Sequence, residues 1–169
     1  MSKRALKKYL SELDKEALET QLMELYERFS AVREYYNFAF NPKEDKLVQE
    51  AKAKIFNEYF PVKRKRPKAR RSVAQKYIKR FLTLGVHAPL VADIMLYNLE
   101  VAQTFSEHRN VPYAFYKSMY NSYAEAVPYI ALHGMLPEFK DRILGIYQRV
   151  SEASWPNEDD FSRVLDALE

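Results

Sequence analysis

Ten basic side chains crowd into residues 61–80 with no acid among them: Lys63, Arg64, Lys65, Arg66, Lys68, Arg70, Arg71, Lys76, Lys79 and Arg80. The chemistry open to such an array is anion capture. Each nucleic-acid phosphate it neutralises releases condensed counterions, and the planar arginine fork adds paired hydrogen bonds. The whole chain of 169 residues carries a net +4, yet outside this segment seventeen bases face twenty-three acids, a net of −6. No acid occurs between Glu58 and Asp93, so compensation must come from distant sequence, from solvent ions or from a partner. Residues 138–169 hold eight acids against four bases, which makes docking of the basic segment on that region a competing arrangement. A solvated loop with no specific partner is the third. Tyr77 reads as a core residue, so base stacking gains no support from the helix that follows.

A second pattern lies in Tyr113, Tyr116, Tyr120 and Tyr123, which step by three, four and three along one face of a helix. Tyrosine joins a large apolar ring to a polar tip, a combination suited to interfaces. One reading is a protein-interaction face, either a homodimer contact or a peptide groove. The plainer reading is helix packing with hydroxyls reaching water. Phe115, Met119 and Ala126 occupy the adjacent face and are the expected core side.

Other chemistry is poorly provided for. His87, His108 and His133 lack the i, i+4 spacing of a helical metal pair, and His133, beside Gly134, suits the negative end of a helix dipole. Glu44-Asp45 and Glu158-Asp159-Asp160 read as first-turn charges. The absence of cysteine excludes disulfides, thiolate metal sites and a thiol nucleophile, and three glycines leave no phosphate-cradling loop. No catalytic, cofactor-binding or metal-ligating residue is assigned. The expected activity is that of a non-catalytic binding module whose basic segment contacts nucleic acid or another phosphate-rich partner, or an acidic protein, with a scaffold module using the tyrosine stripe as the alternative.

The elements that must position these residues follow from hydrophobic spacing, which is helical throughout. The expected fold is all-α, about eight helices packed as antiparallel hairpins in one domain over residues 1–169, with an exposed basic loop at 61–71. A short helix over 3–11 precedes one that Asp14 caps, with Leu13 and Leu18 placed as a hydrophobic staple. Leu18, Leu22, Leu25 and Phe29 lie on one face, and the helix is expected to continue through the aromatic run 31–40 to Asn41-Pro42. Further helices are predicted over 43–60, 72–84, 89–106, 112–132, from 137 and from 158. Ser72 and Gly85 are the expected caps of the one that carries the outer lysines, with Val73, Ala74, Tyr77, Ile78, Phe81, Leu82 and Leu84 inward and Gln75, Lys76, Lys79, Arg80 and Thr83 outward.

Ser2-Lys3-Arg4, Leu6-Lys7-Lys8-Tyr9-Leu10, Phe40-Asn41-Pro42-Lys43-Glu44-Asp45-Lys46-Leu47, Tyr59-Phe60-Pro61 and Arg71-Ser72-Val73-Ala74-Gln75-Lys76 together resemble an uncharacterised bacterial all-helical family of unknown function. That resemblance implies a small cytoplasmic bacterial protein and brings no activity, cofactor or catalytic residue. The early cations Lys3, Arg4, Lys7 and Lys8 are followed by no apolar run of leader length, and no stretch reaches the ~18 apolar residues of a membrane span. A cytoplasmic protein that does not engage membranes is expected; the spacing leaves the oligomeric state open.

Overall fold

The computed structural model describes residues 1–63, 66–107 and 109–167. Among the described residues there are nine helices and no strands: α1 Lys3–Ser11, α2 Lys15–Arg28, α3 Ser30–Phe40, α4 Glu44–Tyr59, α5 Arg71–Leu84, α6 Ala88–Ser106, α7 Tyr113–Leu132, α8 Leu136–Glu152 and α9 Glu158–Asp166. The fold is all-α, as the spacing predicts. The ninth helix arises at Phe29, where the sequence suggests continuity. Phe29 leaves the helical region (φ −118°, ψ 113°), ends α2 and offers its carbonyl to the amides of Val32 and Arg33. The break lets α3 pack on α2, where the Tyr26 hydroxyl meets Asn37 Oδ1 at 3.2 Å and the Arg33 guanidinium lies over the Tyr26 ring.

The chain divides into two compact units, Met1–Pro42 and Lys43–Glu169. In the first, local chemistry sets the helix starts. Ser2 Oγ accepts from the Ala5 amide and Asp14 Oδ1 from the Ala17 amide at 2.8 Å. Each bond satisfies one of the donors that a helix start leaves without an intrahelical acceptor. No residue of α1, α2 or α3 is buried.

The second unit is built around α6, which packs against α4, α5, α7 and α8, while α9 covers α7 and α8. Val91, Ile94 and Leu96 of α6 are fully buried, together with Ile55 and Tyr59 of α4, Phe81 of α5, Met119 and Tyr123 of α7, Ile143 of α8 and Phe161 of α9. A helix that is apolar around most of its circumference, as α6 is, must be surrounded, and this requirement places it at the centre. Trp155 joins Phe115, Tyr116 and Phe161 through edge-to-face contacts with centroids 5.1–6.1 Å apart, closing the core between α7 and α9.

Candidate anion-binding surface

The basic segment begins where α4 ends and finishes along α5. Two features of α4 hold its base. Glu58 is only 5% exposed, and its backbone carbonyl accepts from the Lys68 and Ala69 amides, both at 3.2 Å. Its carboxylate takes Arg70 Nε at 2.8 Å and Nη2 at 3.4 Å. That hydrogen bond first, and the carboxylate charge second, raise the Arg70 pKa further above its ordinary range. Ala69 adopts a left-handed conformation (φ 48°), turning the chain onto Glu58 before α5 begins. The C-terminal half of the loop is therefore anchored rather than loosely tethered. Next to Glu58, the Tyr59 hydroxyl donates to Asn98 Oδ1 at 3.1 Å. Burial, reinforced by the Glu58 carboxylate and opposed by Arg71, holds the Tyr59 phenol above the usual range, so it stays protonated.

Helix α5 is seated through Ala74, Ile78 and Phe81 and clamped along both flanks. On one side, Arg71 Nη2 lies 2.5 Å from Glu125 Oε1, Arg71 Nε donates to Ser122 Oγ at 2.9 Å, and Gln75 Nε2 donates to Glu125 Oε2 at 2.9 Å, all on α7. On the other, Arg80 Nη1 is 3.9 Å from Glu50 of α4, and the Tyr77 hydroxyl donates to the same carboxylate at 3.4 Å. Gly85 closes the helix in the left-handed conformation expected of it (φ 75°). Ser72 does not cap it: α5 starts one residue earlier, and the extended Arg70 supplies a carbonyl to the Val73 amide without a side-chain cap. Leu82 is half exposed rather than inward, because it sits on a flank beside the Ile78 and Phe81 seam. Gln75 and Arg80 are half-buried, drawn to the flanks by their carboxylate partners.

The ten basic residues therefore separate by role. Arg70, Arg71 and Arg80 are tied to Glu58, Glu125 and Glu50. Lys63, Arg66 and Lys68 of the loop and Lys76 and Lys79 of α5 are exposed, with no acidic partner among the described residues. Arg64 and Lys65 lie outside the described residues. Among those described, no ion pair joins this segment to the acids of residues 138–167; the acids that meet it come from α4 and α7.

The tyrosine stripe does not form one open face. Tyr123 is fully buried and donates to the Ile143 carbonyl at 3.2 Å, Tyr116 rests edge-on against Trp155, and Tyr120 against Phe161. Only Tyr113, 60% exposed, is open. The reason is α9, whose Phe161 covers this side of α7, while Asn157 Nδ2 donates to the Tyr116 carbonyl. Phe115, Met119 and Ala126 are buried on the adjacent side, as expected. Tyr116, Tyr120 and Tyr123 thus pack towards Trp155 and Phe161, and Tyr113 stands apart from them.

His87 stands at the start of α6, where its amide donates to Glu44 Oε1 at 2.8 Å, and His133 Nδ1 lies 2.8 Å from the Tyr129 carbonyl at the end of α7. His108 lies outside the described residues. Among those described, no three His, Asp or Glu side chains converge as a metal-binding group, and no helix is long and apolar enough to cross a membrane.

A second charged cluster escapes sequence reading. Arg142 of α8 grips Glu100 through Nε at 2.7 Å and Nη2 at 2.9 Å and reaches Asp93 at 2.9 Å, while Lys52 of α4 meets Asp93 at 2.7 Å. Burial disfavours the Arg142 charge, yet the hydrogen bonds to Glu100 and Asp93 outweigh it and keep the pKa raised. The one available signal is that Asp93 and Glu100 are seven apart on the most apolar helix. Their partners are about forty to fifty residues away and carry no local mark. Two bases answer two acids here, so this cluster ties α4, α6 and α8 together and leaves no charge to offer.

No curated protein and no solved structure matches the chain. A family model matches residues 1–169, and the protein is a member of that family of unknown function, DUF6155.

Proposed function

We propose that the second unit is a non-catalytic module that binds nucleic acid through the outer face of the basic segment. The observation that carries this reading is the division of labour among its cations. Three arginines are spent on Glu50, Glu58 and Glu125, which fixes α5 and the base of the loop, while Lys63, Arg66, Lys68, Lys76 and Lys79 remain exposed without acidic partners among the described residues. A cation held in place but unneutralised has lost little by folding and gains by displacing counterions from a phosphate chain. Lysine is suited to this task because it acts as a point charge and tolerates variation in phosphate position.

Fluorescence polarisation with labelled duplex and single-stranded oligonucleotides tests the proposal. If roughly five phosphates are neutralised on duplex, the logarithm of affinity falls against the logarithm of salt with a slope near −4.5, a loss of several hundredfold between about 50 and 200 mM. Replacing Lys63, Arg66, Lys68, Lys76 and Lys79 together by alanine abolishes binding and leaves the helical circular dichroism unchanged. Affinity that survives those five substitutions, or absence of binding at the lower salt concentration, overturns the proposal. Salt-sensitive capture of an acidic polypeptide such as polyglutamate, with no affinity for either oligonucleotide, also overturns it and assigns the surface to an acidic protein.

A further inference from the structure

The unit Met1–Pro42 forms three amphipathic helices without burying a single residue. Eleven of its large apolar side chains are 36–96% exposed, among them Leu22, Met23, Phe29, Tyr35 and Phe40. Leu22, Met23, Tyr26, Tyr36 and Phe40 line one continuous groove between α2 and α3. Helices this short gain most of their stability from packing an apolar face, so a 42-residue unit that covers its faces only in part needs a further cover.

Charge indicates what supplies it. Helix α1 carries Lys3, Arg4, Lys7 and Lys8 and no acid, whereas α2 carries four acids and two bases; the unit as a whole has seven of each. None of the four α1 cations forms an ion pair among the described residues, and Lys15–Glu19 is the pair formed within α2. A unit that is neutral overall but divided into a basic helix and an acidic one is complementary to itself. A twofold axis that set each α1 against the α2 of the other copy would make each such contact twice and match opposite charges in both. We infer that the first unit is a homodimerisation element: a second copy of this chain covers the apolar faces of α2 and α3, with α1 of each copy paired to α2 of its partner.

Sedimentation velocity on the full chain, free of nucleic acid and between ~1 and ~100 µM, should show a monomer–dimer equilibrium, with helical circular dichroism rising as the dimer forms. The quadruple variant K3E/R4E/K7E/K8E weakens the dimer by at least ~100-fold, as does the opposite variant E16K/E19K/E24K/E27K, and an equimolar mixture of the two restores one dimer. The exposed substitution Met23→Glu, which alters no α1 charge, also weakens self-association. Trp155 is the sole tryptophan and lies in the second unit, so its fluorescence verifies that each variant retains that core. A chain that stays monomeric at the highest concentration overturns the inference, as does a dimer indifferent to both charge exchanges. So does a monomer in solution whose α1 binds anionic phospholipid vesicles.

Discussion

Phe40 and Phe81 are the same side chain near the ends of two amphipathic helices of similar length, yet Phe40 is 85% exposed and Phe81 is not exposed at all. Their surroundings differ, not their local pattern. In Lys43–Glu169, α6 gives every neighbouring helix an apolar surface to pack on, and several polar groups drawn inward find partners: Tyr59 with Asn98, Tyr123 with the Ile143 carbonyl, Arg142 with Asp93 and Glu100. In Met1–Pro42 the helices have caps and a hairpin but no such centre. Amphipathic spacing therefore says that a face will be covered; it does not say from which chain the cover comes.

The comparison is sharpest in the phenylalanines themselves. Phe81→Ala empties a fully buried site on α5 and should cost about 3–5 kcal/mol, whereas Phe40→Ala in dilute solution should change stability by less than ~0.5 kcal/mol. Urea unfolding followed by Trp155 fluorescence for the first, and by far-ultraviolet circular dichroism for both, measures the contrast. Comparable losses at the two positions would erase the distinction between the units.

A smaller effect separates the tyrosines. Tyr59→Phe removes the hydrogen bond to Asn98 and should cost about 1–2 kcal/mol near neutral pH, while Tyr35→Phe, at a half-exposed ring, should cost less than ~0.5 kcal/mol. Burial raises the phenol pKa of Tyr59 and of Tyr123 in the folded state above the ordinary value of 10.0. The unfolded chain thus loses these protons first as pH rises. Their contribution is fully present below pH 10 and declines above it as the pH climbs towards the folded values. Denaturation midpoints measured from pH 8 upward should fall once pH 10 is passed, and Tyr59→Phe should make that fall shallower. An alkaline profile identical in the variant would show that Tyr59 ionises without unfolding.

These contrasts mark how far the amino-acid sequence could be read. Helix locations were legible because caps and prolines act locally: Asp14, Gly85 and Pro61 bound their elements where chemistry requires. So was the exposure of Lys63, Arg66 and Lys68, since like charges around Pro67 have no core to join. The break at Phe29 was not, because it is stabilised by α3 folding back on α2, a contact eleven residues distant for Tyr26 and Asn37. Nor was the fate of the tyrosine stripe, which α9 decides from about forty residues further along. Which basic residues would be consumed by Glu50, Glu58 and Glu125 was equally hidden, for Glu125 meets Arg71 across more than fifty positions.

Least in magnitude, and most specific to the first unit, is the cap of α2. Asp14 Oδ1 accepts from the Ala17 amide at 2.8 Å, and Asp14→Ala should cost that helix about 1 kcal/mol. In a region tied to a buried core, such a loss moves the midpoint of the whole cooperative transition. Here no residue of α2 is buried, so the loss should stay local in dilute solution: carbon chemical shifts over residues 15–19 move towards coil values while the Trp155 transition remains in place. At concentrations where the dimer forms, the same substitution must also weaken self-association, because the helix has to be formed before its acidic face can meet the other copy's α1. A shifted Trp155 midpoint in dilute monomer would mean that α2 folds cooperatively with the second unit, and the contrast between the two regions would dissolve.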